Sequence, residues 1–137
     1  MNRQDFQQIS NIRLRETNAL LKARQYSGAY YLGGYVVECA LKACIAKQTR
    51  RYDFPDKDRV RDSYTHKFAD LIKLLEMTND LKAKMKGDSN FELNWETVVR
   101  WSERSRYAKH SQADAQELYD AISDPTHGVL QWLKQYW

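Results

Sequence analysis

The chain has 137 residues, with 22 Lys and Arg against 18 Asp and Glu for a net charge of +4 at neutral pH; this length predicts one domain over residues 1–137, able to bury a core without disulfides or a structural metal. Glycine and proline make up about 5% of the residues against a usual sum near 12%, which argues against a turn-rich β-sandwich or barrel. Mean hydropathy is −0.79, and the uncharged run Tyr26 to Val37 is far short of the roughly 20 apolar residues that span a bilayer, so no membrane partner is expected.

Reading from the N-terminus, the first eight residues contain no apolar h-region, and the expected location is cytoplasmic. Residues 1 to 51 carry a net charge of +6 and the remainder −2, so a polyanion should prefer the N-terminal part. Apolar residues at Phe6, Ile9, Ile12, Ala19, Leu20 and Ala23 predict an amphipathic helix over 6–25, with Glu16 out of pattern on that face. Ser27 is placed to cap a second helix over 27–48, whose first half carries no charge before Glu38. A helix apolar on all sides belongs at the centre of a bundle. The stretch Tyr30 to Val37 could also form two short strands about Gly33-Gly34, but it runs unbroken into Ala40-Leu41-Lys42-Ala43, which favours helix. Within a helix, the two glycines predict close approach by another helix. Cys39 and Cys44 lie about 140° apart around that axis, too divergent to bridge, and read as small buried groups.

Residues 49–64 are polar, contain Pro55 and show no periodicity, so they read as a long connection. Phe68, Leu71, Ile72 and Leu75 predict a third helix over 65–77, followed by a short turn over 79–86 ending at Gly87. Trp95, Val98, Val99 and Ser102 define a helix over 93–108. Ser111 with Asp114 resembles a capping box, opening a last segment over 112–136 in which Asp124-Pro125 either caps a new helix or kinks a continuous one. The expected fold is all-α, an antiparallel up-and-down bundle of about five helices.

Isolated His66, His110 and His127 and diverging cysteines offer no metal-ligand spacing, and Gly33-Gly34 is followed by no phosphate-loop lysine, so neither metal nor cofactor is expected. What remains is the run Trp101 to His110. If the helix continues, Arg106 falls about 20° from Trp95 and His110 about 60°, whereas Arg104 falls near 180°. A guanidinium turned into a bundle needs a carboxylate, and Glu38 is the acid available on helix two, so an Arg106–Glu38 pair is expected, with Lys42 one turn on as the competing partner. His110 with Arg104 or Arg106 is also a candidate phosphodiester-cleaving pair. Histidine can move a proton near neutrality, and arginine can neutralise charge developing on phosphate.

The run Tyr26-Ser27-Gly28-Ala29-Tyr30-Tyr31-Leu32-Gly33-Gly34-Tyr35-Val36-Val37-Glu38-Cys39-Ala40-Leu41-Lys42-Ala43 resembles the second helix of the HEPN domain family. His66 before Leu71 and Leu74-Leu75, and Ser105-Arg106-Tyr107, are similar to that family's pattern too, over roughly residues 9 to 135. The resemblance implies a dimerising helical bundle of prokaryotic type. It implies either a metal-independent endoribonuclease of a toxin–antitoxin or defence system, or a non-catalytic module partnering a minimal nucleotidyltransferase or RNA. Catalytic members carry an arginine, four to six residues, then histidine, often with a tyrosine two positions on. Arg104 with His110 fits that spacing, Arg106 does not, and residue 112 is Gln. A homodimer is expected also from four Trp and nine Tyr, more aromatic surface than a small bundle easily hides.

Overall fold

The computed structural model describes residues 1–51 and 56–137, and among these there are eight α-helices and no strand. They are α1 (Arg3–Lys22), α2 (Tyr26–Arg51), α3 (Lys57–Asp62), α4 (Phe68–Leu74), α5 (Thr78–Gly87), α6 (Ser89–Val99), α7 (Gln112–Ser123) and α8 (Val129–Leu133), with a 3₁₀ turn, Glu103–Tyr107, between α6 and α7. The fold is an all-α bundle. Helix α2 is its axis, packing against α1, α4, α7, α8 and the 3₁₀ turn, as its uncharged first half requires. Val36, Val37, Ala40, Leu41 and Cys44 are buried on it, and burial pushes the Cys39 thiol up to about 11 and that of Cys44 to about 12.

Helix α1 opens on a capping box: Asn2 Oδ1 accepts from the Asp5 backbone N–H at 2.9 Å, and the Asp5 carboxylate accepts from the Asn2 N–H at 2.8 Å. Its inner face differs from the periodic one. The fully buried residues are Ser10 and Thr17, whereas Ile12, Ala19 and Ala23 are exposed. Small side chains sit where the two backbones come nearest: Ser10 donates to the Val36 carbonyl on α2 at 2.8 Å, and a Cβ on Gly33 would lie 3.6 Å from Thr17. The out-of-pattern Glu16 pairs with Arg13 on the surface, at 2.8 Å.

Gly34 takes a side chain instead of a helix. A Cβ there would stand 1.9 Å from Trp101 Cε2. The indole lies flat on this bare backbone, donates from Nε1 to the Tyr30 carbonyl at 3.1 Å and stacks on Phe68 with ring centroids 5.4 Å apart. Drawing Trp101 inward ends α6 at Val99, so the helix expected over 93–108 is two elements. Ser102 then caps the 3₁₀ turn by accepting from the Arg104 N–H at 3.3 Å. Angular bookkeeping that assumes one helix does not carry past Val99.

Two further boundaries move for local reasons. Part of the expected connection 49–64 is helical, as α2 runs on to Arg51 and α3 forms with Asp56 as its cap. Helix α3 has no buried residue, hence no apolar period to read, and is tied down by Arg59, which donates to the Leu74 carbonyl and to Gln48 Oε1. Pro55 lies outside the described residues. At the other end, Asp124 neither starts nor kinks a helix, since its carboxylate accepts from the Thr126 and His127 N–H groups and makes a turn that delivers the chain to α8 at Val129. The expected capping box on α7 is present, with Asp114 N–H donating to Ser111 Oγ at 3.1 Å.

Asp88 joins these parts. It caps α6 by accepting from the Phe91 N–H at 3.0 Å, takes the His127 Nδ1 at 2.7 Å and lies 3.4 Å from Lys84 Nζ. The His127 hydrogen bond, then the Phe91 N–H, hold its carboxyl down to about 2. A depressed folded-state value stabilises the protein above the unfolded value of about 4, and that contribution is lost as pH falls through about 2. Urea melts between pH 5 and 2 should therefore show a steeper acid loss for the wild type than for Asp88→Asn. Parallel curves would mean that the Asp88 contacts contribute nothing to folding.

Candidate functional site

The structure separates the residues singled out in the sequence into two clusters and an exposed segment. The first cluster surrounds His110. Beyond the 3₁₀ turn the backbone is extended at Ala108, which brings His110 back across the start of α2. Its backbone N–H donates to Ser27 Oγ at 2.9 Å. Ser27 therefore does not cap α2, which already begins at Tyr26, but fastens the 108–111 link to it. The imidazole stacks on Tyr30, with centroids 3.7 Å apart and planes 15° from parallel, and its Nδ1 lies 3.8 Å from Asp114 Oδ2. Nε2 is buried without a hydrogen-bond partner. Proton transfer from this nitrogen to a phosphodiester requires the ring to leave Tyr30.

The exposed segment carries the two arginines that were expected beside that histidine. Arg104 and Arg106 both face solvent, as does Lys109. The Arg106 guanidinium lies over the Tyr107 ring, 4.8 Å from its centroid, and Tyr107 is 81% exposed. Arg106 is thus not the partner of Glu38.

The second cluster is built on Glu38, which is only 4% exposed. Its Oε1 receives His66 Nδ1 in a short hydrogen bond and lies 3.7 Å from Lys42 Nζ, so the buried carboxylate is satisfied by an imidazole from the segment leading into α4 and by its own helix. The competing Lys42 pairing is present, partly buried, alongside a partner that the sequence reading did not pair with it. The His66 side chain remains 43% exposed. Tyr35 stands edge-on to His66 at 6.4 Å and edge-on to Trp101 at 5.2 Å, with its hydroxyl 3.3 Å from that of Tyr31. Burial raises the Tyr35 phenol far above its usual value, with Tyr31 and Glu38 adding to the shift and the nearby Arg106 charge opposing it. The His66 and Trp101 rings therefore both border Tyr35. A groove of about 830 Å³ between α1 and α2 reaches this cluster at Lys42.

Among the described residues no three or more His, Cys, Asp or Glu gather in a metal-holding group, and no described helix is long and apolar enough to cross a membrane. No protein-family model matches the chain, and it matches neither a curated protein nor a solved structure.

Proposed function

We propose that this chain is an RNA-binding protein of HEPN-like type that holds single-stranded RNA on the surface formed by Arg104, Arg106, Tyr107 and Lys109. The observation that carries this reading is the Arg106–Tyr107 stack, an aromatic face 81% exposed beneath a guanidinium and flanked by two more cations. A small protein has little reason to leave a tyrosine so exposed on stability grounds. Such a platform suits a base, which stacks on the ring, and a phosphate, which the arginines neutralise. The homodimer, the nucleotidyltransferase partner and the cytoplasmic setting expected from the sequence belong to the same proposal.

Fluorescence anisotropy with a labelled single-stranded RNA tests it. Tyr107→Ala should weaken binding by about 1–3 kcal/mol, the usual worth of one stacked base. Arg104→Ala and Arg106→Ala should each lower the slope of log affinity against log salt by about 0.7. Affinity and salt slope unchanged in all three variants would overturn the reading.

A further inference from the structure

We infer that the groove between α1 and α2 binds a small carboxylic acid with an apolar body, its carboxylate held by Arg3 and Lys42 and its body resting on Phe6, Ile45 and Ala46. The groove shares no described residue with the Arg104–Lys109 surface, so this site is independent of the RNA-binding reading. Its volume of about 830 Å³ lies within the range of small-molecule sites, and three parts of the chain enclose it: the start of α1, the second half of α2, and Ser63-Tyr64 between α3 and α4. Met1 and Tyr64, two of the largest exposed apolar side chains, both border it. Apolar groups gathered at one concavity, rather than scattered over the surface, mark a place where apolar matter is received.

The polar groups of the groove select the head of the ligand. The two hydroxyls are already spent on their own backbone, Thr49 Oγ1 donating to the Ile45 carbonyl at 2.8 Å and Ser63 Oγ to the Val60 carbonyl at 2.6 Å. The cations are not. Arg3 donates from Nη2 to the Trp137 carbonyl at 2.5 Å, but its Nε is buried without a partner. A buried donor left unpaired is costly, and an acceptor arriving from outside would remove that cost. Lys42 Nζ lies 3.7 Å from Glu38 Oε1, beyond hydrogen-bond length, and that oxygen already takes the His66 bond. The ammonium thus keeps donors to give. No carboxylate lines the groove among the described residues, so the acceptor these two groups lack has to come with the ligand.

Charge narrows the class further. Residues 1 to 51 carry a net charge of +6, an excess that the Arg104–Lys109 surface does not use, and both groove cations belong to it. Glu38 partly offsets one of them, so a singly charged head suits the site better than a dianion. A carboxylate also offers two oxygens, one for a guanidinium N–H and one for an ammonium. With few polar anchors and an apolar floor, the remainder of the ligand is hydrocarbon or aromatic.

The test titrates the full chain with octanoate and, separately, with octanol, following the Ile45 methyl signals by NMR. Octanoate should bind saturably with a Kd below about 1 mM, and octanol at least about tenfold more weakly. Arg3→Met should weaken octanoate binding by about tenfold or more without changing that of octanol. Ala46→Glu places a carboxylate in the groove at a partly exposed helical position that glutamate tolerates well, and should abolish octanoate binding while the helical circular dichroism is kept. Tyr107→Ala should bind octanoate as the wild type does. Octanol binding as tightly as octanoate would reduce the groove to an apolar surface and overturn the inference. So would the absence of saturable binding, retention of octanoate by Ala46→Glu, or its loss in Tyr107→Ala, and none of these outcomes touches the RNA-binding reading.

Discussion

Gly34→Ala should lower the stability of this protein by about 3 kcal/mol, at the upper end of the cost of overpacking a core. The added methyl would stand 1.9 Å from Trp101 Cε2 and 2.0 Å from Cδ2, rigid atoms of a fused ring that cannot rotate out of the way. The indole must leave. It then loses the Tyr30 carbonyl, the Phe68 stack and the edge contact with Tyr35 together. Gly33→Ala is the control, since its methyl would meet the end of a flexible leucine, Leu118 Cδ2, at 3.2 Å. The helix-propensity gain of roughly 1 kcal/mol from replacing glycine should largely offset that crowding. Of two neighbouring glycines in one helix, one should thus be costly to replace and the other nearly neutral. In the double mutant Gly34→Ala with Trp101→Ala the methyl fits the vacated space, so the pair should be no less stable than Trp101→Ala alone. Denaturant melts decide this, and additive losses would show that Gly34 is not the seat of the indole. Because Trp101 also anchors the chain entering the 3₁₀ turn, Gly34→Ala should weaken the proposed RNA binding as well.

The same tryptophan marks where the sequence stops being readable. Central α2, the buried cysteines, the α4 face at Phe68, Leu71, Ile72 and Leu75, and the Ser111–Asp114 cap all follow from rules that act within one element, and all are present. Past Val99 the periodic pattern continues, with Ser102 falling on the expected face. The chain nonetheless breaks, because a contact 67 residues away in sequence, between Trp101 and Gly34, outweighs local period. That break turned Arg106 outward and made the expected Arg106–Glu38 pair impossible to judge by rotation. A helix such as α3, with the exposed Val60 as its one apolar residue, has no period at all to read. The face of α1 was misplaced for a related reason, since close backbone approach selects Ser10 and Thr17 over larger apolar residues.

The Glu38–His66 bond belongs to the same class. Twenty-eight residues and an irregular connection separate the partners, and no helical spacing rule crosses such a gap. The signals present were a lone acid at the end of an uncharged stretch and a histidine just ahead of a helix. Only the requirement that a buried carboxylate be paired could have linked them.

That requirement predicts the second large effect. Removing both partners of Glu38, with His66→Ala and Lys42→Met, should cost about 3–5 kcal/mol, because it strands a buried carboxylate. The single changes should cost less, since either remaining partner still faces Oε1. Removing the acid as well, in the triple variant with Glu38→Met, should recover much of the loss, because a thioether of similar length packs in an apolar site without needing a partner. The order matters: deleting Glu38 first leaves no buried charge without a partner, because the His66 side chain is 43% exposed and Lys42 only partly covered, so Glu38→Met alone should be milder than the double variant. Arg106→Met, on an exposed guanidinium, should stay within about 0.5 kcal/mol and show no coupling to Glu38→Met. Urea melts of these variants and the wild type at neutral pH measure every step. A double variant as stable as the wild type would show that Glu38 is solvated in the folded state, and significant coupling between Arg106 and Glu38 would restore the ion pair that the sequence suggested.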